Sequence, residues 1–224
     1  TMTDLETLVK YGNYNENSFA VILGDIVFDS YEQVENVKTS LVNSPVPVFP
    51  CFGNHDCSSS VGESELDLIS KYQQHFGPVD YSFNIGNNHY VVLDDILCTN
   101  DGSGNRTYNA ALTTDQLNWL KKDLSYVDKS KNVIVTMHAQ MYHPDGSVRI
   151  SGLEEILAGY NVHVMTGHSH EMWNNDFTST KGIYHHNSGA ICGTWWWTGS
   201  YTPGLGLCKD GSPAGYYVYN MNGT

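Results

Sequence analysis

Arginine is almost missing from this chain. Among 224 residues only Arg106 and Arg149 occur, and Lys plus Arg total 11 against 24 Asp plus Glu, for a net charge of −13. Without a basic face, DNA or RNA is excluded as a preferred partner. Any anionic ligand must find its countercharge in something other than side chains. Long apolar runs are also missing. No stretch approaches the roughly 18–20 residues of a membrane span, and residues 1–10 (TMTDLETLVK) lack the apolar centre of a signal peptide. Charged residues make up only 16% and hydrophobic ones 40%, a globular rather than disordered balance. The five cysteines, Cys51, Cys57, Cys98, Cys192 and Cys208, follow no zinc-finger spacing. They read as small core residues or unbridged thiols, with a Cys192–Cys208 bridge open to an exported protein.

What is present alternates between strand and helix. Residues 19–23 (FAVIL), 132–137 (NVIVTM) and 162–166 (VHVMT) are short apolar runs of buried-strand type. Residues 46–51 are held extended by their prolines. Helical spacing marks Tyr31, Val34, Val37, Leu41 and Val42, then Leu66, Ile69, Tyr72 and Phe76. It marks Leu117, Leu120 and Leu124 behind a Thr113 or Thr114 cap, and a shorter helix over 152–159. Gly86-Asn87-Asn88 between β-rich runs predicts a hairpin. From Trp173 onward the chain reads as β-rich through GIYHHN, GAICGTWWWTG and YYVYNM. No repeat or linker is visible, so residues 1–224 read as one α/β domain with two sheets.

Four segments place metal-capable side chains directly after a predicted strand: Gly24-Asp25, Gly53-Asn54-His55-Asp56, His138, and Gly167-His168-Ser169-His170. In α/β sheets, ligands collect beyond the carboxyl ends of the strands. An Asp after a Gly is by itself usually a turn residue, but four loaded strand ends in one chain form a common site far more readily than four turns. Carboxylate and imidazole suit Mn, Fe, Zn, Co or Ni better than Ca or Mg. A neutral amide such as Asn54 leaves positive charge on the metals to hold a phosphate and activate water.

In order and spacing, GD…GNHD…H…GHSH resembles the calcineurin-like metallophosphoesterase superfamily. YSFNIGNNHYVVLDD and TTDQLNWLKKDL resemble the hairpin and helix between its third and fourth motifs. The closing stretch is similar to a bacterial subgroup in which further C-terminal sequence follows. The resemblance implies a four-layer α-β-β-α sandwich with two mixed β-sheets, the β-rich tail from about 173 belonging to the second. It implies metal-dependent hydrolysis of a phosphorylated small molecule or phosphodiester, with two divalent metals per complete site. Asp25 then bridges the metals, Asn54, His138 and His168 hold the second, and His170 helps hold the first. His55 is the general acid at the leaving group, and His143, just past the His138 loop, is a candidate for substrate binding.

The sequence departs from the family pattern at several points. Asp29 stands one residue further from Gly24-Asp25 than the common spacing, and so is given no ligand role. Phe28 occupies the place of the tyrosine iron ligand of purple acid phosphatases, which argues against that branch. No Asp-x-His precedes Asp25, and no histidine occurs in residues 1–24. The expectation is an N-terminally truncated fold whose first metal keeps only Asp25 and His170, with impaired activity. The alternative is an inactive module that keeps the fold and binds metal, or binds glycan through Trp195, Trp196 and Trp197. An extracytoplasmic location, periplasmic or cell-surface, is the weaker expectation. His75, His89 and His163 read as structural.

Overall fold

The computed structural model describes residues 18–57, 63–100, 106–193 and 206–221. Strand β1 (Ala20–Ile22) leads through a loop to helix α1 (Val34–Val42), strand β2 (Val48–Pro50) and a single 3₁₀ turn, Asn54–Asp56. Helix α2 (Glu65–Phe76) precedes the hairpin of β3 (Tyr81–Ile85) and β4 (Asn88–Val92), and a second hairpin pairs β5 (Ile96–Asn100) with β6 (Arg106–Ala110). Helix α3 (Thr114–Leu124), β7 (Asn132–Thr136), α4 (Leu153–Leu157), β8 (Asn161–Thr166), β9 (Trp173–Phe177), α5 (Thr178–Lys181) and β10 (Ile183–Asn187) complete the order.

Six strands form one mixed sheet in the order β3-β4-β7-β8-β10-β9. The central four are parallel, and β3 and β9 close the edges antiparallel. Every residue of β4 and β7 is buried, as expected of parallel strands covered on both faces. On one face Val91, Val133, Val135, Val162, Val164 and Ile183 pack under Leu120 and Leu124 of α3 and Leu153 and Leu157 of α4. On the other face lies the parallel pair β1–β2. Aromatic rings join the two sheets: Phe49 stacks on Phe83 at 4.0 Å, and Phe83 on Tyr90 at 5.1 Å. Phe19 meets Tyr90 edge-on at 5.1 Å. Two sheets are therefore face to face with helices outside, as the resemblance implied. The β5–β6 ladder is separate from both and packs through Ile96 and Cys98 against Leu68 and Tyr72 of α2.

Local sequence accounts for the helix starts. The Ser64 hydroxyl accepts the Asp67 N–H, and the Asp67 carboxylate accepts the Ser64 N–H. Thr113, rather than Thr114, caps α3 reciprocally with Gln116. Both are capping boxes.

Three expectations are corrected. Leu66 is 75% exposed, and Leu68 takes its place beside Tyr72 in the buried stripe of α2, because the packing partner is the β5 ladder. Residues 216–221 form no strand; Tyr217 and Tyr219 set their rings edge-on against His186 of β10 instead of pairing backbone. The disulfide joins Cys57 to Cys98, with Cα atoms 6.5 Å apart. The Cys192 and Cys208 thiols face the carbonyls of Gly193 and Ala190 and do not bridge. Closing a loop of 41 residues contributes on the order of 4 kcal/mol in the chain-entropy picture.

Leu120→Ala, at a fully buried position under the sheet, is expected to cost about 2–5 kcal/mol in urea unfolding, whereas Leu66→Ala stays within about 0.5 kcal/mol of the parent.

Candidate metal centre

The carboxyl ends of β1, β2, β7 and β8 point to one place. Backbone contact at this place explains the two motif glycines. A Cβ on Gly24 would lie 2.4 Å from His138 Nδ1 and 2.9 Å from Gly53 Cα; one on Gly53 would lie 2.2 Å from the Asp25 nitrogen. Only two bare α-carbons let the two loops touch. Among the described residues the non-glycine positions with positive φ are Asp25, Asp29, His168 and His170. Three lie in these motifs, and Asp29 follows four residues after Asp25. Each such residue costs about 1–3 kcal/mol, and here the left-handed turns aim the side chains inward.

His138 is the hub. It is buried, and its Nδ1–H donates to the Leu23 carbonyl at 2.6 Å. Its Nε2 lies 3.0 Å from Asn54 Oδ1, 3.1 Å from His168 Nδ1 and 3.3 Å from Asp25 Oδ2. With the proton on Nδ1, lone pairs of four groups face one another. Such a set is repulsive unless a metal cation, or a second proton on His138, sits among them. The metal-ligating atoms of Asp25, His138 and His168 all lie within 4.8 Å of one another. The residues present therefore fit a divalent transition metal by donor type and by the backbone carbonyl that fixes the His138 tautomer.

Without that ion the site is polarised. Burial pushes His138 toward the neutral form, but the Asp25 carboxylate outweighs it and raises the ring to about 9. Burial likewise works against the Asp25 charge, yet His138 and the His55 N–H hold its carboxyl far below the usual range. Burial and then the charge on His138 lower His168 to about 3. One positive centre is thus shared by the whole group.

Asp56 builds the frame. Fully buried, it accepts the N–H groups of Val27 and Gly53, each at 2.8 Å, so one carboxylate ties the Asp25 loop to the Asn54 turn. Burial, then the nearby Asp25 charge, raise it to about 7. The Tyr31 hydroxyl donates to the Asp56 carbonyl at 2.8 Å. The His55 N–H donates to Asp25 Oδ1 at 2.8 Å, and its ring stacks on Phe28 at 4.6 Å. His55 Nδ1 meets Asp29 Oδ1 at 2.9 Å. Asp29 thus orients a histidine; sequence spacing, read only for metal ligands, missed this.

The Gly167–His170 loop rests on a buried polar network. The Gln140 amide donates to the Gly167 carbonyl at 2.7 Å and to Asn187 Oδ1 at 3.0 Å. The Asn187 amide donates to Ser169 Oγ at 2.8 Å and to the Glu171 carbonyl at 2.6 Å. Arg149, one of the two arginines, donates to Gln140 Oε1 at 2.5 Å. Asn54, Asp25, His138 and His168 are brought together. His170, two residues past His168 on the same loop, is not among them, and its Nδ1–H donates to the Gly193 carbonyl at 2.7 Å. His143 lies in a turn whose carbonyl accepts from Gly146 and Asn175, and the contacts tie down its backbone rather than its ring. Tyr108 of β6, unforeseen from sequence, reaches His168 Nε2 with its hydroxyl at 3.2 Å. Trp195, Trp196 and Trp197 lie outside the described residues.

Fold and site together define a metal-dependent phosphoesterase of the two-sheet type. Residues 2–172 match the calcineurin-like phosphoesterase family. The chain belongs to that family, whose members are phosphoric ester hydrolases working with two divalent metal ions. No curated protein matches its sequence. Among solved structures it is similar to a dimetal phosphatase from Danio rerio, at 16% identity and TM-score 0.63, over 84% of this chain and 77% of that one. It is also similar to purple acid phosphatase PPD1 from yellow lupin (Lupinus luteus) seeds, at 18% identity and TM-score 0.58, over 84% of this chain but 38% of that one. At these identities the likeness is one of fold. No helix among the described residues is long and apolar enough to cross a membrane.

Gly24→Ala is expected to lower stability by about 1–3 kcal/mol or more and to weaken Mn²⁺ binding, read by thermal unfolding and calorimetry; an unchanged protein would show that the two loops need no glycine contact.

Proposed function

We propose that this chain hydrolyses a phosphate mono- or diester at the His138 centre, where Asp25 would be a ligand to both metals. In this reading Asn54, His138 and His168 would also hold the second metal, and His170 would help hold the first. The observation that carries it is the gathering of Asp25, Asn54 and His168 around His138 Nε2 at 3.0–3.3 Å. The metals, Mn, Fe, Zn, Co or Ni, supply Lewis acidity that polarises the phosphoryl group and lowers the pKa of water. The chain's own part is to position them and to handle the leaving group. Water attacks phosphorus and loses a proton to solvent, the ester P–O bond breaks, His55 gives its proton to the departing oxygen, and solvent reprotonates the imidazole. Asp29, 2.9 Å from the other ring nitrogen, holds the imidazole in place. The phosphate is recognised by the metals, since Arg149 is engaged with Gln140 beneath the loop.

Within these 224 residues the first metal has only Asp25 and His170 from the ligand set, because no Asp-x-His precedes Asp25. Catalytic sites of this kind generally use three or more protein ligands. We therefore read the chain alone as a poor phosphatase that holds the second metal better than the first. The Cys57–Cys98 disulfide supports an extracytoplasmic location.

His55→Ala is expected to slow turnover about 10²–10⁴-fold on alkyl phosphates, and much less on nitrophenyl phosphate, while metal content is kept; equal losses on both would make His55 a phosphate-positioning group. A paired assay of this chain and a version extended at its N-terminus by an Asp-x-His strand, both loaded with Mn²⁺, is expected to favour the extended one. Equal rates would overturn the impairment.

A further inference from the structure

The β5–β6 hairpin is anchored to the site at two points. On β5, Cys98 is bonded to Cys57, the residue that follows Asn54-His55-Asp56. Directly across the ladder from Cys98 stands Tyr108 on β6. Opposed residues of an antiparallel pair project to the same face, so the face that carries the disulfide also carries the tyrosine. Its hydroxyl lies 3.2 Å from His168 Nε2, and its ring meets the imidazole edge-on at 5.7 Å. A disulfide, one cross-strand pairing and one hydrogen bond thus lead in turn from the Asn54 turn to the far nitrogen of the histidine that closes the group.

His168 faces His138 with Nδ1, and a nitrogen can hold a metal only when it carries no proton. A neutral imidazole has one proton for two nitrogens. Whichever group sits at Nε2 therefore decides whether Nδ1 is bare. For His138 the choice is made by the Leu23 carbonyl. For His168 the group at that nitrogen is a phenol oxygen, which can accept an N–H.

We propose that Tyr108 is a positioning residue for the metal centre. Its hydroxyl accepts the His168 Nε2–H, fixes the tautomer that leaves Nδ1 bare, and is held there by the Cys57–Cys98 anchor. This rests on the metal-binding reading above, and extends it to a group that touches neither metal nor substrate.

The decisive measurement is made on metal-free protein. Nitrogen-15 spectra of labelled histidine, with His168 assigned by its loss in His168→Asn, report which ring nitrogen is protonated. The expected result is Nε2–H in the parent and a mixture of tautomers in Tyr108→Phe. Nδ1–H in the parent, or identical populations in both proteins, would overturn the proposal whatever the metal does. Calorimetric titration with Mn²⁺ then adds a second reading. Tyr108→Phe is expected to bind about 10–100-fold more weakly with the melting temperature of the metal-free form unchanged. Parent-like binding in Tyr108→Phe, with a loss only in Tyr108→Ala, would assign the effect to ring packing and overturn the role of the hydroxyl. A parent that binds no Mn²⁺ would instead refute the metal reading, and the tautomer spectra would still decide this inference.

Discussion

The site depends on one backbone contact. Gly24 and Gly53 end separate strands, and a Cβ on Gly24 would sit 2.9 Å from Gly53 Cα, inside any tolerable approach. Because both lack that atom, Asp25 and Asn54 leave their strands close enough to reach the same imidazole nitrogen. The parallel pairing of β1 with β2, in register from Ala20–Val48 to Ile22–Pro50, delivers the two loops side by side, with Gly53 one residue beyond the position opposite Gly24. Asp56 then locks the arrangement with one carboxylate across both loops. The ligand geometry is a consequence of main-chain packing, and the left-handed turns at Asp25, His168 and His170 are the strain it tolerates.

Much of this was legible beforehand, for physical reasons that differ by level. Strands such as Asn132–Thr136 declare themselves because burial on both faces demands uninterrupted apolar residues. Strand ends followed by Asp, Asn or His declare a site because polar groups at sheet termini are otherwise turn formers. Side-chain pairing across distant segments was not legible. Asp29 looked misplaced when counted as a ligand, yet it pairs with His55 because its own left-handed turn redirects it. Tyr108 sits on an otherwise ordinary strand, and only the ladder register puts it opposite Cys98. Tyr216–Met221 has strand composition, yet Tyr217 and Tyr219 use their rings against His186 in place of backbone pairing.

The same limit applies to the disulfide. Composition offered five cysteines and no pairing rule. The observed partner of Cys57 follows from the hairpin that passes beneath it in the small core of Phe52, Leu68, Tyr72 and Ile96. That core is distinct from the larger one under α3 and α4, and Ala110 packs against both.

Charge completes the argument. Several of the chain's cations are engaged away from the centre: Lys181 with Glu154, Lys38 with Glu35, Lys71 with Glu63, Lys129 over the Tyr160 ring and Arg149 on Gln140. Around His138 the protein offers carboxylates, an amide and imidazoles, a set that repels a phosphate dianion until metal is added. Recognition and catalysis are then the same act. In the reading proposed above, ions held here would both attract the phosphate and polarise it, and a neutral Asn54 among their ligands, where a carboxylate would cancel charge, would keep that attraction strong. Affinity for substrate should accordingly rise and fall with metal occupancy rather than with any single side chain, which is how an acidic protein with two arginines can act on an anionic ester.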